Sequence, residues 1–159
     1  MCAAGLFIAT PLNLSTTSSW VCLLWVKNRD FGGNTVTVAL HLPAQPGYAA
    51  LARNMAASIA ARCELTFDRV EDARLAIDEA FNQVVLNAPA DAEIVCTFIE
   101  VIGALEFMVQ SRTLLEEDLP RNTFSWTVLS ALANELHTSN VDGILTVVAR
   151  LQEQTNEAA

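Results

Sequence analysis

Three polar side chains fall at helical spacing in the middle of the chain: Glu79, Gln83 and Asn87. Positions i, i+4 and i+8 of a helix share one strip of its surface. A carboxylate and two amides therefore line up along one edge and face across a common cleft. Such a strip reads either as the edge of a ligand site or as an ordinary solvated helix face, and Asp78 beside it has the same two readings. Arg53 is the other candidate. A guanidinium suits bidentate pairing with carboxylates and often anchors interfaces, although an exposed Arg also serves plain solubility. Trp126 reads as core packing or as an anchor for a partner. The four cysteines, Cys2, Cys22, Cys63 and Cys96, show no CxxC or other ligand spacing, and only His41 and His137 could assist them. They read as buried or incidental thiols rather than as a metal site or a disulfide framework.

The elements that must carry these residues are legible from about residue 35. Val36, Val38, Leu40 and Leu42 alternate with polar or small residues, the period of a half-buried strand. Pro43 and the pair Pro46-Gly47 end it. Tyr48, Leu51, Ala52, Met55, Ile59 and Cys63 then recur at helical spacing, which predicts an amphipathic helix to about Arg62. A second helix, capped by Asp68, runs to about Asn87 before Pro89, with Ala73, Ile77, Ala80, Phe81 and Val84 as its apolar stripe. Two alternating segments, around residues 92–98 and 105–110, predict strands. Residues 113–120 read as a loop or a short turn of helix. A third helix is expected from a cap at Asn122 to about Thr138, with Phe124, Val128, Leu132 and Leu136 on one face. A turn at SNVDG and a closing strand from Ile144 to Leu151 complete the order. It is strand, helix, helix, strand, strand, helix, strand, the signature of an α/β (α+β) two-layer sandwich. A mixed, mainly antiparallel sheet would be covered on one face by about three helices. The expected organisation is an irregular N-terminal extension over residues 1–33, one domain over 34–151 and a polar tail over 152–159.

Bulk composition narrows the function. Of 159 residues, 52% are apolar and 17% charged, a globular balance. The net charge is -9 and the sequence holds no lysine after Lys27, while its arginines are scattered singly. Gripping phosphates needs a clustered basic patch, so direct nucleic-acid binding is not expected. An acidic surface suits a basic protein partner. The first thirty-odd residues lack the basic start of a signal peptide, and Trp20 to Val26 (WVCLLWV) is too short to span a bilayer. They read as an extension, or as an over-long start with the true start near Val26, and no membrane role is expected. A cytoplasmic location follows.

The segment RLAIDEAFNQVVLN (residues 74–87) resembles the N-box helix of the GHKL (Bergerat-fold) ATPases, and specifically that of the anti-sigma factor serine kinases. NTFSWTVLSALANEL (residues 122–136) is similar to the Phe-Ser-Trp helix of their actinobacterial-type branch. The resemblance covers about residues 35–151, and the order of elements agrees with it. It implies a histidine-kinase-like ATPase fold, a homodimer made through the first strand and first helix, and two protein partners: a stress-type sigma factor and a STAS anti-anti-sigma protein. It implies Glu79 as general base, the following amide position, here Gln83, as Mg²⁺ ligand, and Glu79, Gln83 and Asn87 together as the nucleotide cleft. It also implies Arg53 as the residue that contacts the partners.

The departures from the family pattern are as informative. Gln83 stands where the Mg²⁺-binding Asn belongs, one methylene longer, and Mg²⁺ tolerates such shifts poorly. The DxGxG loop and the later Gly-rich lid have no counterpart. Of six glycines only Gly103 and Gly143 lie beyond residue 87, each isolated. Backbone N–H groups that approach phosphate closely need glycine. In place of the lid stands SRTLLEEDLPRN (residues 111–122), whose carboxylates repel a triphosphate. ATP and Mg²⁺ are thus doubtful cofactors. The expected role is sequestration of a sigma factor, released by a STAS protein, with degenerate ATP binding. The alternative is an active serine/threonine kinase that phosphorylates its antagonist.

Overall fold

The structure, a computed structural model, describes residues 36–153. The expected extension over residues 1–33, with its alternative start near Val26, and all of the polar tail after Glu153 lie outside them.

β1 (Val36–Pro43) leads through one 3₁₀ turn at Pro46–Tyr48 into α1 (Ala49–Arg62) and α2 (Phe67–Asn87). β2 (Glu93–Val101) and β3 (Ala104–Arg112) follow, then α3 (Phe124–Leu132), β4 (Glu135–Val141) and β5 (Ile144–Gln152). The strands form one sheet in the order β1-β2-β3-β5-β4, and all four pairings are antiparallel. The three helices cover one face, so the chain forms the expected two-layer α+β sandwich. No helix among the described residues is long and apolar enough to cross a membrane.

α1 is rich in alanine, which loses no side-chain entropy in a helix. Ala52, Ala56 and Ala60 of α1 and Ala73, Ala76 and Ala80 of α2 are buried, and small side chains let neighbouring helix axes approach. α1 ends in a Schellman motif. Glu64, at φ 60, takes the left-handed position usually given to glycine. The N–H of Leu65 donates to the carbonyl of Ala60 at 3.3 Å and that of Glu64 to Ala61 at 3.2 Å.

The core lies between helices and sheet, where Ile77, Phe81 and Val84 of α2 meet Ile94, Phe98, Phe107, Val147 and Leu151. On the opposite face Ile99, Met108 and Val148 are buried as well.

Three expectations are corrected. The cap of α2 is Thr66 rather than Asp68, which sits in the first turn, and that of α3 is Thr123 rather than Asn122. Thr123 Oγ1 accepts from the Trp126 N–H at 3.1 Å. α3 does not reach Thr138 but ends at Leu132, and Leu136 belongs to a fifth strand. Asp142 at φ 52 and Gly143 at φ 74 make the two-residue reversal that folds β4 back on β5. Left-handed dihedrals at both positions match the twist of paired strands. Cross-strand pairing over seven residues then outweighs continuation of the helix, a non-local term that helical spacing cannot register.

One charged side chain locks this break. Arg69, in the first turn of α2, is only 5% exposed. Its guanidinium donates to the Gln152 and Leu132 carbonyls at 3.0 and 3.2 Å, to Asp72 at 2.8 Å and to Asn134 Oδ1 at 2.6 Å. Asn134 Oδ1 also accepts from the Gln152 N–H at 2.9 Å. The start of α2, the end of α3 and the last residues of β5 thus meet at one cation. Beside it, the Glu153 carboxylate accepts from the Thr66 N–H at 3.0 Å and its hydroxyl at 3.1 Å, capping α2 from the far end of the fold.

Candidate functional site

α2 carries Glu79, Gln83 and Asn87 along one edge, as their spacing requires, and all three are half-buried. The structure commits two of them to internal work. The Gln83 side chain donates through Nε2 to Ser125 Oγ on α3 at 2.8 Å. Asn87 donates through Nδ2 to the Gln83 carbonyl at 2.7 Å, which satisfies one of the terminal carbonyls a helix leaves open. Glu79 alone keeps an uncommitted side chain: it has no hydrogen-bond or ion-pair partner among the described residues.

Residues 113–123, which link β3 to α3, form a pinned strap. The Leu114 N–H and Thr113 Oγ1 donate to the Asn87 carbonyl at 2.8 and 2.9 Å. The Thr113 N–H reaches the Gly143 carbonyl at 2.9 Å. Asn140 on β4 donates to the carbonyls of both Leu115 and Glu117 at 2.9 Å. Leu119 is buried in the core. The side chains of Glu116, Glu117 and Asp118 stand exposed on the strap's outer surface.

This arrangement does not fit a magnesium triphosphate. No residue of the strap has a positive φ, the backbone state that turns successive N–H groups toward an anion. Three carboxylates occupy its exposed part. Ser125 and Leu129 bring α3 down onto α2 and the core, and Gln83 is spent on Ser125 rather than turned to a cation. Among the described residues no group of three or more His, Cys, Asp or Glu side chains is placed to hold a metal ion.

Arg53 pairs through Nη1 with Asp78 Oδ1, the residue before Glu79, joining α1 to α2. The Arg53 side chain is 40% exposed and that of Asp78 27%, so part of the guanidinium still faces solvent. Trp126 is half-buried, with the Arg121 guanidinium 5.2 Å from its ring centre. Cys63 and Cys96 are buried free thiols; burial pushes the first above its ordinary pKa and the second up to about 12. Along the edge strand β1, Leu40, Leu51, Asn54, Met55 and Ser58 line a shallow apolar groove of about 260 Å³ against α1.

Sequence reasoning missed Ser125, Asn140, Thr113 and Arg69. Ser125 and Thr113 were visible only as members of a helix and a loop. Asn140 carries no local signal, because its partners are backbone carbonyls more than twenty residues away.

No protein-family model and no curated protein matches the chain. Among solved structures, a match is the crystal structure of the RsbU and RsbW domains of Rv1364c from Mycobacterium tuberculosis, with TM-score 0.59 at 16% identity. The superposition covers 74% of this chain and 32% of that one, so this chain spans about a third of that neighbour. At this identity the likeness is one of architecture, and the side chains of the cleft carry the functional argument.

Proposed function

We propose that the protein is an anti-sigma factor acting by protein recognition alone, on an ATPase scaffold whose nucleotide cleft has been closed from within. The RsbW-like architecture supports the class of partner. The observation that carries the non-enzymatic reading is the internal closure: Gln83 holds Ser125, and the pinned strap of residues 113–123 replaces a glycine-rich lid. Sequestration needs affinity and no chemistry, so nothing in this reading depends on Glu79 as a base. A STAS anti-anti-sigma protein would free the sigma factor by competing for an overlapping surface.

Arg53 is the proposed contact to the partners, through the part of its guanidinium not engaged by Asp78. The proposed homodimer uses β1 and α1, where a strand edge that no strand among the described residues pairs adjoins the groove lined by Leu40, Leu51 and Met55.

The experiment is recovery of native partners on the tagged full chain, followed by titration with the sigma factor recovered. Arg53→Ala should weaken binding by about 2 kcal/mol, as expected of an interface anchor. Asp78→Ala removes the same intramolecular ion pair but leaves the cation, and should retain affinity. Equal losses in both variants would make the pair structural, and a pull-down that never yields a sigma factor would remove the reading. Calorimetry with MgADP separates the kinase alternative: micromolar binding would restore it, and none up to millimolar nucleotide agrees with a closed cleft.

A further inference from the structure

The face of α3 that carries Phe124 and Val128 points outward at its first residue. Phe124 is 80% exposed, and Val128, one turn on, is half-buried. On α2, Glu79, Asn82 and Leu86 follow at i, i+3 and i+7, a single stripe adjoining the one that carries Gln83. Leu86 is 74% exposed. The hydrogen bond from Gln83 to Ser125 joins the two helices one turn before Leu86 on α2 and one residue after Phe124 on α3. At its end the strap adds Leu114, 72% exposed and held there by the bond of its N–H to the Asn87 carbonyl. Three large apolar side chains, each more than 70% exposed, thus sit within a helical turn of the contacts that join α2 to α3 and to the strap. Single exposed hydrophobics are ordinary, but a contiguous set rimmed by charge marks an interaction site.

The rim is mainly acidic. Glu79 lies in the stripe without a partner among the described residues, and the strap carries Glu116, Glu117 and Asp118, all exposed. Arg121 is the cation on this border, and it lies over the Trp126 ring. An apolar surface edged by carboxylates is the complement of a helix with an apolar stripe flanked by Lys and Arg.

We propose that the α2–α3 surface, bounded by the strap, is a docking site for a basic amphipathic helix of a partner protein. The internal closure of the cleft then has a further role. It sets α3 and the strap at fixed positions against α2, so the surface is preformed and binding orders little of this protein.

The test titrates the full chain with a synthetic Leu/Lys amphipathic helix of about five turns. A Leu/Glu helix with the same apolar face serves as comparison. Saturable binding of the Leu/Lys helix is expected, with no binding of the Leu/Glu helix. The double variant Leu86→Ser, Phe124→Ser should weaken it about tenfold or more, as loss of interface anchors does. Glu116→Gln with Glu117→Gln should weaken it chiefly at low salt, while Phe124→Leu should retain it. Circular dichroism checks that the variants stay folded, which their exposure leads one to expect. The inference is overturned if the double variant binds the peptide like the parent, or if the Leu/Glu helix binds equally well. It is also overturned if the double variant's main effect is a change of oligomeric state, which would make a second copy the occupant. Binding of the parent to neutral lipid vesicles that the double variant loses, while it keeps peptide binding, would assign the surface to a membrane and overturn it too.

Discussion

Replacing Arg69 by Ala should destabilise the fold far more than loss of an ordinary surface arginine. The guanidinium is 5% exposed and donates four hydrogen bonds, two to backbone carbonyls, one to a carboxylate and one to an amide oxygen. A hydrogen bond to a charged group contributes about 1.5–3 kcal/mol, but bonds to one side chain do not add. The deletion also strands acceptors. The Leu132 and Gln152 carbonyls lose a donor at the α3–β4 break, and Asp72, whose side chain is 31% exposed, loses its cation. Asn134 keeps the Gln152 N–H. Breaking one partner of a buried charged cluster costs about 3–5 kcal/mol. The lower half of that range is expected here, because solvent reaches Asp72. Against a typical domain stability of about 5–15 kcal/mol, such a loss moves the urea midpoint well down. Arg69→Lys should recover little, since an ammonium cannot serve three elements from one plane. Equilibrium urea unfolding of the parent and both variants, followed by far-UV circular dichroism with slopes compared, gives the answer. A loss below about 1 kcal/mol for Arg69→Ala, or full recovery by lysine, would refute the idea that this cation ties α2, α3 and β5 together.

Two other perturbations test local claims. Glu64→Gly should raise stability by about 0.5–1 kcal/mol in the same assay, because Glu64 holds φ 60, which a side chain resists; a destabilised variant would contradict the Schellman assignment. The buried thiols should make the fold sensitive to alkali. Burial raises Cys96 to about 12, so the folded state keeps a proton that the unfolded chain gives up near pH 9. Its stabilising contribution is whole below pH 9 and is lost as pH rises from there toward 12, so stability should fall across that window and fall less in Cys96→Ala. A parallel pH dependence in the two proteins would dismiss the thiol as the cause.

Alternation and helical spacing were enough to place β1, β2, β3 and β5 and the first two helices. In each, the residues that face the core recur at the element's own period. The same spacing set Glu79, Gln83 and Asn87 on one edge, and the scarcity of glycine after residue 87 marked the departure from a phosphate-cradling pattern. These are local properties, written into neighbours three, four or two positions apart. Where α3 ends was not legible, because helical spacing continues through Leu136. What stops the helix is pairing with β5 and the anchorage of Asn134 by Arg69, a residue sixty-five positions earlier. Nor could spacing show that Phe124 turns outward, or that Gln83 is spent on Ser125. Both depend on which side of α3 meets α2, a choice made by the packing of Leu129 into the core. The sequence by itself determined the layers and the polar edge; tertiary contact decided that the edge closes on itself, because a side chain's partner across forty residues is set by how whole elements dock.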